Sequence, residues 1–373
     1  MFAAMLALVV VGTVAIWSAG NARTEAVFHG MWKANLTTAI SGLSVYFALA
    51  IADYRKLLSW TAVAAYLVAL LLLVAVLVLG SEVYGGRRWL WFFQPSEIAK
   101  LCVICMIAKV FGDEERRTFR WFVAGCAIVA VPVLLILMEP DLGTALTLIP
   151  ATLLMLFVAR VWRRGLVTLL AVGGVAAFAV LGAVYEAEKP GVPESRRERI
   201  LKWVPLKNHQ VSRVKVFLFP DEDLTGAGYT LRQAKISIGS GGFSGKGIGK
   251  GESNHLKYLP QSISMNDFIF CVYAEETGFV GSLLLLALFG ALLVPGAWTA
   301  VVASDGSGRL LAIGVSTLVF AHVWINIAMS IGLVPITGLP LPFISSGRTF
   351  LVVVMAGFGL IQSVSIHGRS NTK

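Results

Sequence analysis

The stretch LVALLLLVAVLVLG, residues 67–80, decides the fold class. It carries no charge and shows no period-two alternation. A bilayer core takes about 20 apolar residues per helix. Backbone in lipid satisfies its hydrogen bonds only inside helices or closed barrels. A barrel strand would alternate polar and apolar residues, so this run predicts a membrane helix. The rest of the chain reads the same way. Of 373 residues, 57% are hydrophobic and 14% charged, against about 25% charged in soluble domains, and mean hydropathy is +0.78. Ten spans are expected near 2–19, 35–52, 58–80, 95–111, 120–138, 143–159, 166–185, 270–295, 309–330 and 349–366. The reading is an all-α polytopic membrane protein, a single membrane domain over 1–373, with one large loop, about 186–267, between spans 7 and 8. The opening MFAAMLALVVVGTVAIWSAG has the apolar length of a signal peptide. It lacks a basic leading region and is followed by no soluble domain, so it reads as the first membrane helix.

The net charge of +10 calls for no nucleic acid, because cytoplasmic loops of membrane proteins collect Lys and Arg. With the N-terminus inside, the short inner loops and tail hold Arg55, Lys56, Arg116, Arg117, Arg120, Arg160, Arg163, Arg164, Arg309, Arg369 and Lys373. The short outer loops hold Arg23, Lys33, Arg87, Arg88 and Arg348. This asymmetry predicts both termini in the cytoplasm and the long loop outside. Cys102, Cys105, Cys126 and Cys271 all lie in apolar segments, no second pair accompanies the CxxC at 102–105, and no HExxH occurs. The cysteines read as structural.

Polar sequence then gathers on the outer side. Gly85–Lys100, GGRRWLWFFQPSEIAK, places Arg87 and Arg88 against the charge rule. Pro95 suits a first helical turn. Glu97 and Lys100 then share a helix face, and each costs about 3 kcal/mol at the bilayer centre unless paired or hydrated. A structural salt bridge and a polar cavity both satisfy that demand. Glu139-Pro-Asp-Leu-Gly143 sets two acids at a helix junction, where Asp141 suits a cap. Gly338–Gly347, GLPLPFISSG, breaks the chain before the last span. Irregular backbone at membrane depth is tolerated where it lines a cavity.

The long loop contains PESRRERILKWVPL, with Ile200, Leu201 and Val204 on one helical face and bases on the other, the pattern of an interfacial helix. Its later part, Gly239–Phe270, is glycine-rich and carries Lys246, Lys250 and Lys257. It fails as a Walker A loop at Ser240 and Gly247 and as a GxGxxG at Lys250. Small residues still allow backbone N–H groups to approach an anion, with Lys246 adding charge; a flexible linker has the same composition. Asp267 closes the stretch. It is placed either to cap the next helix with Asn266 or, partly desolvated, to act as a base.

Taken in order, RRW (87–89), QPSEIAK (94–100), EPDLGTAL (139–146), KISIGSGGFSGKGIGKG (235–251), YLPQ (258–261), NDFIFCVYAEETGFVG (266–281) and GLVPITGLPLPFISSG (332–347) resemble the SEDS family (shape, elongation, division and sporulation), most of all its RodA branch. The motifs cover residues 80–350, and the ten-span layout agrees. The resemblance implies a peptidoglycan glycosyltransferase of the cytoplasmic (inner) membrane. It would polymerise lipid II outside that membrane for cell elongation. Its partners would be a class B penicillin-binding protein, the crosslinking transpeptidase, and other elongation-complex membrane proteins. It implies Asp267 as the catalytic acid of the DFIF motif, Arg88 and Trp89 as the family's Arg-Trp pair, and Glu97 and Lys100 of QPSE…K facing a central cavity. Gln94 of the same motif, Glu139 and Asp141 are supporting candidates. Asn266 stands where the family has Thr, Gln261 where it has Glu, and Ser345-Ser-Gly-Arg348 replaces its usual SYGG ending.

The residues suit that chemistry. An acceptor hydroxyl needs a base, for which Asp267 is the candidate. A departing pyrophosphate needs cations, for which Arg88, Lys100 and Lys246 are candidates. A divalent cation, Mg2+ or Mn2+, bridging Asp267 and the pyrophosphate is compatible with this, although no ligand cluster announces one. Two other functions fit ten spans and a polar centre: a lipid II flippase, and a non-catalytic membrane scaffold in which Asp267 only caps a helix.

Overall fold

The computed structural model describes residues 1–21, 30–83, 86–91, 93–112, 118–139, 141–189, 191–223, 226–252 and 264–368; the side chains at 82, 83, 86, 87 and 209 are outside the description. Ten helices of 17 residues or more stand among the described residues: α1 (Phe2–Asn21), α2 (Met31–Ile51), α3 (Tyr54–Leu79), α4 (Pro95–Phe111), α5 (Phe119–Met138), α6 (Leu142–Val158), α7 (Arg163–Glu188), α11 (Ile269–Val302), α12 (Gly306–Ser330) and α13 (Arg348–His367). They match the ten expected spans. Eight are long and apolar enough to cross a membrane. The other two, α4 and α6, have 17 residues each, about 25 Å at 1.5 Å per residue. α4 carries Glu97, Lys100 and Lys109. Between α7 and α11 lie α8 (Glu194–Leu201), α9 (Asn208–Leu218) and α10 (Ala227–Ser240), so the long loop has helical structure of its own. A small antiparallel hairpin, β1 (Ser81–Val83) and β2 (Gly86–Trp89), joins α3 to α4.

α12 is the central post. Leu310, Leu311, Val315, Leu318, Val319 and Met329 are buried on it, and it packs on α11, α6, α4 and α13. α13 packs on α2, and α3 on α4. α7 is the outlier: Val167, Leu170, Val172, Val175 and Phe178 are exposed, as befits a helix whose neighbours are lipid. α11 departs from its expected limits. It runs on to Val302 through Pro295, and it is broken at Gly278 (φ 68°, ψ −162°). Alternation of the spans brings the hairpin, Glu139 and Asp141, helices α8 to α10 and residues 331–347 to one end of the bundle.

Candidate active site

The site forms where two irregular segments, 264–268 and 338–347, stitch together. The Ser345 hydroxyl donates to the Asn266 carbonyl at 2.6 Å and accepts from Leu341 N–H at 2.7 Å. Ser346 N–H donates to the Met265 carbonyl at 3.2 Å, and its hydroxyl donates to Asn266 Oδ1. From below, buried Asn326 on α12 donates to the carbonyls of both Asp267 (2.8 Å) and Leu339 (2.6 Å). Each segment therefore satisfies the other's orphan backbone groups, the condition for non-helical chain at this depth.

Asp267 is held by its backbone and does not cap α11. The cap position is Phe268, with no side-chain bond. The residue is half-buried, and its carboxyl stands among charges from three other elements. A Cβ on Gly338 (φ +76°) would lie 3.5 Å from Asp267 Oδ2 and 3.7 Å from Arg213 Nη2. Acid and guanidinium are thus at most about 7 Å apart, the sum of those two distances. Arg213, on α9, donates to the Thr337 carbonyl at 3.0 Å, which fixes its head beside Gly338. Burial raises the Asp267 pKa to about 6; Arg213 and then Arg88 oppose the rise, and Asp141 reinforces it.

Arg88, on β2, directs Nε to the Glu139 carbonyl at 3.4 Å. Asp141 caps α6, accepting from Thr144 N–H (3.1 Å) and its hydroxyl (2.9 Å), and also accepts from Gln94 Nε2 at 3.0 Å. Glu139 is fully buried, and neither carboxyl oxygen has a hydrogen-bond partner among the described residues. Burial, then the charge of Asp141, lifts its pKa to about 8 against the pull of Arg88. It is therefore neutral at pH 7. Five of the expected residues, Arg88, Gln94, Glu139, Asp141 and Asp267, are thus brought together. Trp89 is half-buried in the hairpin opposite Ser81.

Beneath them Glu97 and Lys100 form a buried ion pair at 2.8 Å. Lys100 Nζ also lies 2.8 Å from His322 Nε2, and since an ammonium only donates, Nε2 accepts. Phe350 packs against both, 5.0 Å from the ammonium and 4.4 Å from the imidazole. Glu97 is within electrostatic reach of Asp141. The pair is a floor to the site, fully enclosed.

The glycine-rich segment turns out differently from an anion cradle. Lys246 and Gly247 donate their N–H groups to the carbonyls of Glu275 and Glu276, and Phe279 and Val280 donate theirs to Gly242 and Phe243. Gly249 N–H goes to the Ser18 hydroxyl. The glycines permit close contact with the broken turn of α11: a Cβ on Gly245 would lie 2.2 Å from the Glu276 carbonyl oxygen, and one on Gly241 2.3 Å from that of Ala274. Lys246 pairs with buried Glu275 at 2.8 Å and with Glu252 at 3.4 Å. No described contact joins it to Asp267. Lys257 and Gln261 lie outside the described residues. Among the described residues no three His, Cys, Asp or Glu gather as metal ligands.

Arg213, His322 and Asn326 escape the sequence reading, whereas Gly338 opens the break it expected. His322 and Asn326 carry a usable signal, being polar groups one turn apart inside an apolar span. Arg213 carries none, because one base in a basic loop does not stand out.

The comparisons with known proteins run the length of the chain. The family model described as FtsW/RodA/SpoVE, cell cycle protein, matches residues 1–370. The peptidoglycan glycosyltransferase MrdB of Escherichia coli is 36% identical over 376 aligned positions, covering 99% of this chain and 93% of the relative. Stage V sporulation protein E of Bacillus subtilis is 30% identical, covering 98% and 94%. A structure described as showing structural coordination of polymerization and crosslinking by a peptidoglycan synthase complex superposes with a TM-score of 0.74 at 28% identity, over 99% of this chain and 97% of that one. The rod shape determining protein RodA of Thermus thermophilus superposes with a TM-score of 0.67 at 26% identity, over the same shares. On a match that leaves out only its last residues, this chain belongs to the FtsW/RodA/SpoVE family of cell cycle proteins.

Proposed function

We propose that this protein is a peptidoglycan glycosyltransferase that polymerises lipid II into glycan strands at the outer face of the cytoplasmic membrane, with Asp267 as its general base. The observation that carries the reading is Asp267: half-buried, outside the cap position of α11, its carboxyl raised to about 6 and faced by two arginines. The acceptor sugar hydroxyl attacks the anomeric carbon of the donor while Asp267 takes its proton. The anomeric C–O bond to pyrophosphate breaks, and its electron pair leaves with the polyprenyl pyrophosphate. Arg88 and Arg213 supply fixed positive charge where negative charge develops. With Asp267 alone singled out as the base, a single inverting displacement is expected, and trapping a sugar covalently on the protein would refute that. A bound Mg2+ or Mn2+ would supply further charge neutralisation at the pyrophosphate, with Asp267 and Asp141 as the nearest carboxylates.

The relatives named as peptidoglycan glycosyltransferases and the resemblance to a peptidoglycan synthase complex support this activity and a crosslinking penicillin-binding partner. The excess of basic residues in the loops opposite the site supports cytoplasmic termini. The test compares wild type with Asp267→Asn, purified with a class B partner and given labelled lipid II. Polymer is expected from wild type and none from the folded variant. Equal polymer from both would sink the assignment of Asp267, and no polymer from either would turn attention to the flippase and scaffold readings.

A further inference from the structure

A second feature lies at the end of α7, apart from the Asp267 cluster. Val184 is buried there against Val204, Val211 and Val214 of the long loop. Beside this contact runs an open groove of about 510 Å3, with Ala179, Val180 and Ala183 of α7 on one wall and Arg199, Ile200 and Trp203 on the other. The α7 wall is low because its side chains are small. At Gly182 a Cβ would meet nothing within 4 Å. The recess has the character of a seat for a hydrocarbon chain.

The bases around it are sorted. Glu188 takes Arg197 at 2.8 Å and Lys215 at 3.0 Å. Arg196 and Arg199 share the other face of α8, three residues apart, with Trp203 just past the end of the helix; neither arginine makes an ion pair with a described residue. Helical periodicity sets the acids of α8, Glu194 and Glu198, on the opposite side. Trp203 is 85% exposed, as an indole at the headgroup level would be. Because α7 is a span with lipid for a neighbour, the groove at its end lies where hydrocarbon meets water.

We propose that this groove binds one anionic glycerophospholipid of the surrounding bilayer. Its phosphodiester would lie on Arg199 and Arg196, which take phosphate in a two-pronged fashion, and one acyl chain would lie along Ala179, Val180 and Ala183. Juxtamembrane bases draw acidic lipid in this way, and the groove adds a place for the chain. The bound lipid would brace α7 against α9, the helix that carries Arg213. This site stands independently of the glycosyltransferase assignment.

The test uses the full chain in nanodiscs of equal phosphatidylglycerol and phosphatidylcholine, with retained lipids counted by native mass spectrometry. Wild type is expected to keep one phosphatidylglycerol in preference. Arg196→Gln with Arg199→Gln should lower that preference by about fivefold per arginine. Ala183→Phe, which fills the groove and leaves the charges, should also release the lipid. Arg196 and Arg199 are exposed and Ala183 is half-buried, and an unchanged elution profile verifies folding of each variant. Equal retention of the two lipids by wild type overturns the proposal, as does full retention by Ala183→Phe. Release by excess inorganic phosphate would reduce the site to a phosphate contact. Replacement by an equal amount of polyprenyl pyrophosphate would make it a substrate site. Either result refutes the assignment to a bilayer lipid.

Discussion

Replacing Arg213 by glutamine should move the pH dependence of the reaction, by an amount the geometry sets. Arg213 is the foremost influence holding the Asp267 pKa down against burial, and the two charged groups are at most about 7 Å apart by the Gly338 distances. Unit charges at that separation interact by about 2.4 kcal/mol at an effective dielectric constant of about 20. One pKa unit is about 1.4 kcal/mol, so removing the charge raises Asp267 by about 1.7 units, from about 6 to nearly 8. A base works ionised, so activity climbs as pH rises through its pKa. At about pH 6.5 roughly three quarters of the wild-type carboxyl is ionised against about 6% in the variant, a deficit of more than tenfold. Near pH 9 the two should differ only by the pH-independent loss of a cation beside the pyrophosphate. The assay is kcat/KM for lipid II polymerisation from about pH 5 to about pH 9, which reports the free enzyme. Arg213→Lys keeps the charge and should return the limb towards wild type. An acid limb in Arg213→Gln within about 0.3 unit of wild type, in folded protein, would refute the electrostatic coupling.

Three further outcomes follow from the buried charges. Glu139 holds its proton to about pH 8 in the folded protein, so the stability it contributes is full below the unfolded value of 4.5 and is lost as pH rises from there through about 8, by roughly 5 kcal/mol. The thermal midpoint of wild type should therefore drop across that window while that of Glu139→Gln does not; parallel curves would contradict the neutral buried acid. Lys100→Met leaves Glu97 buried without its cation and should cost about 3–5 kcal/mol. Adding Glu97→Gln should restore most of that loss in the denaturation midpoint, and no recovery would show that the two are uncoupled. Lys246→Ala should lower stability, be rescued by Glu275→Gln, and leave KM for lipid II unchanged. A raised KM with unchanged stability would return Lys246 to pyrophosphate binding.

The ten spans are legible because membrane helices are encoded locally: about 20 apolar residues in sequence are the whole signal. The break at Gly278 is not, because its cause lies elsewhere in the chain. Segment 241–247 supplies the hydrogen bonds that the opened turn needs, and composition alone does not say which helix a glycine-rich loop will press against. The same limit explains Lys246. Its sequence neighbours suggest an anion, but its spatial neighbour is Glu275, 29 residues away. Asp267, Arg88 and Asp141 are legible as polar groups at the ends of oily spans. Arg213 completes their charge balance from the middle of a loop helix, and only the fold brings it near.

The contrast among the aspartates at helix starts bears most directly on chemistry. Asp53, Asp141 and Asp305 each accept a bond from a backbone N–H in the first turn of the helix that follows. A carboxylate so engaged is fixed in direction by the hydrogen bond it accepts. Asp267 stands one residue earlier, before the cap position of α11, which Phe268 fills without a side-chain bond. Its position is maintained through its carbonyl by Asn326, and through its neighbours Met265 and Asn266 by Ser345 and Ser346. Backbone stitching thus does the positioning that a cap would otherwise do, and the side chain keeps both oxygens for a proton acceptor's work. Burial then raises its pKa towards neutrality, and two arginines prevent it from rising so far that the acid would be protonated at pH 7. A residue held in that balance serves a reaction better than it serves stability.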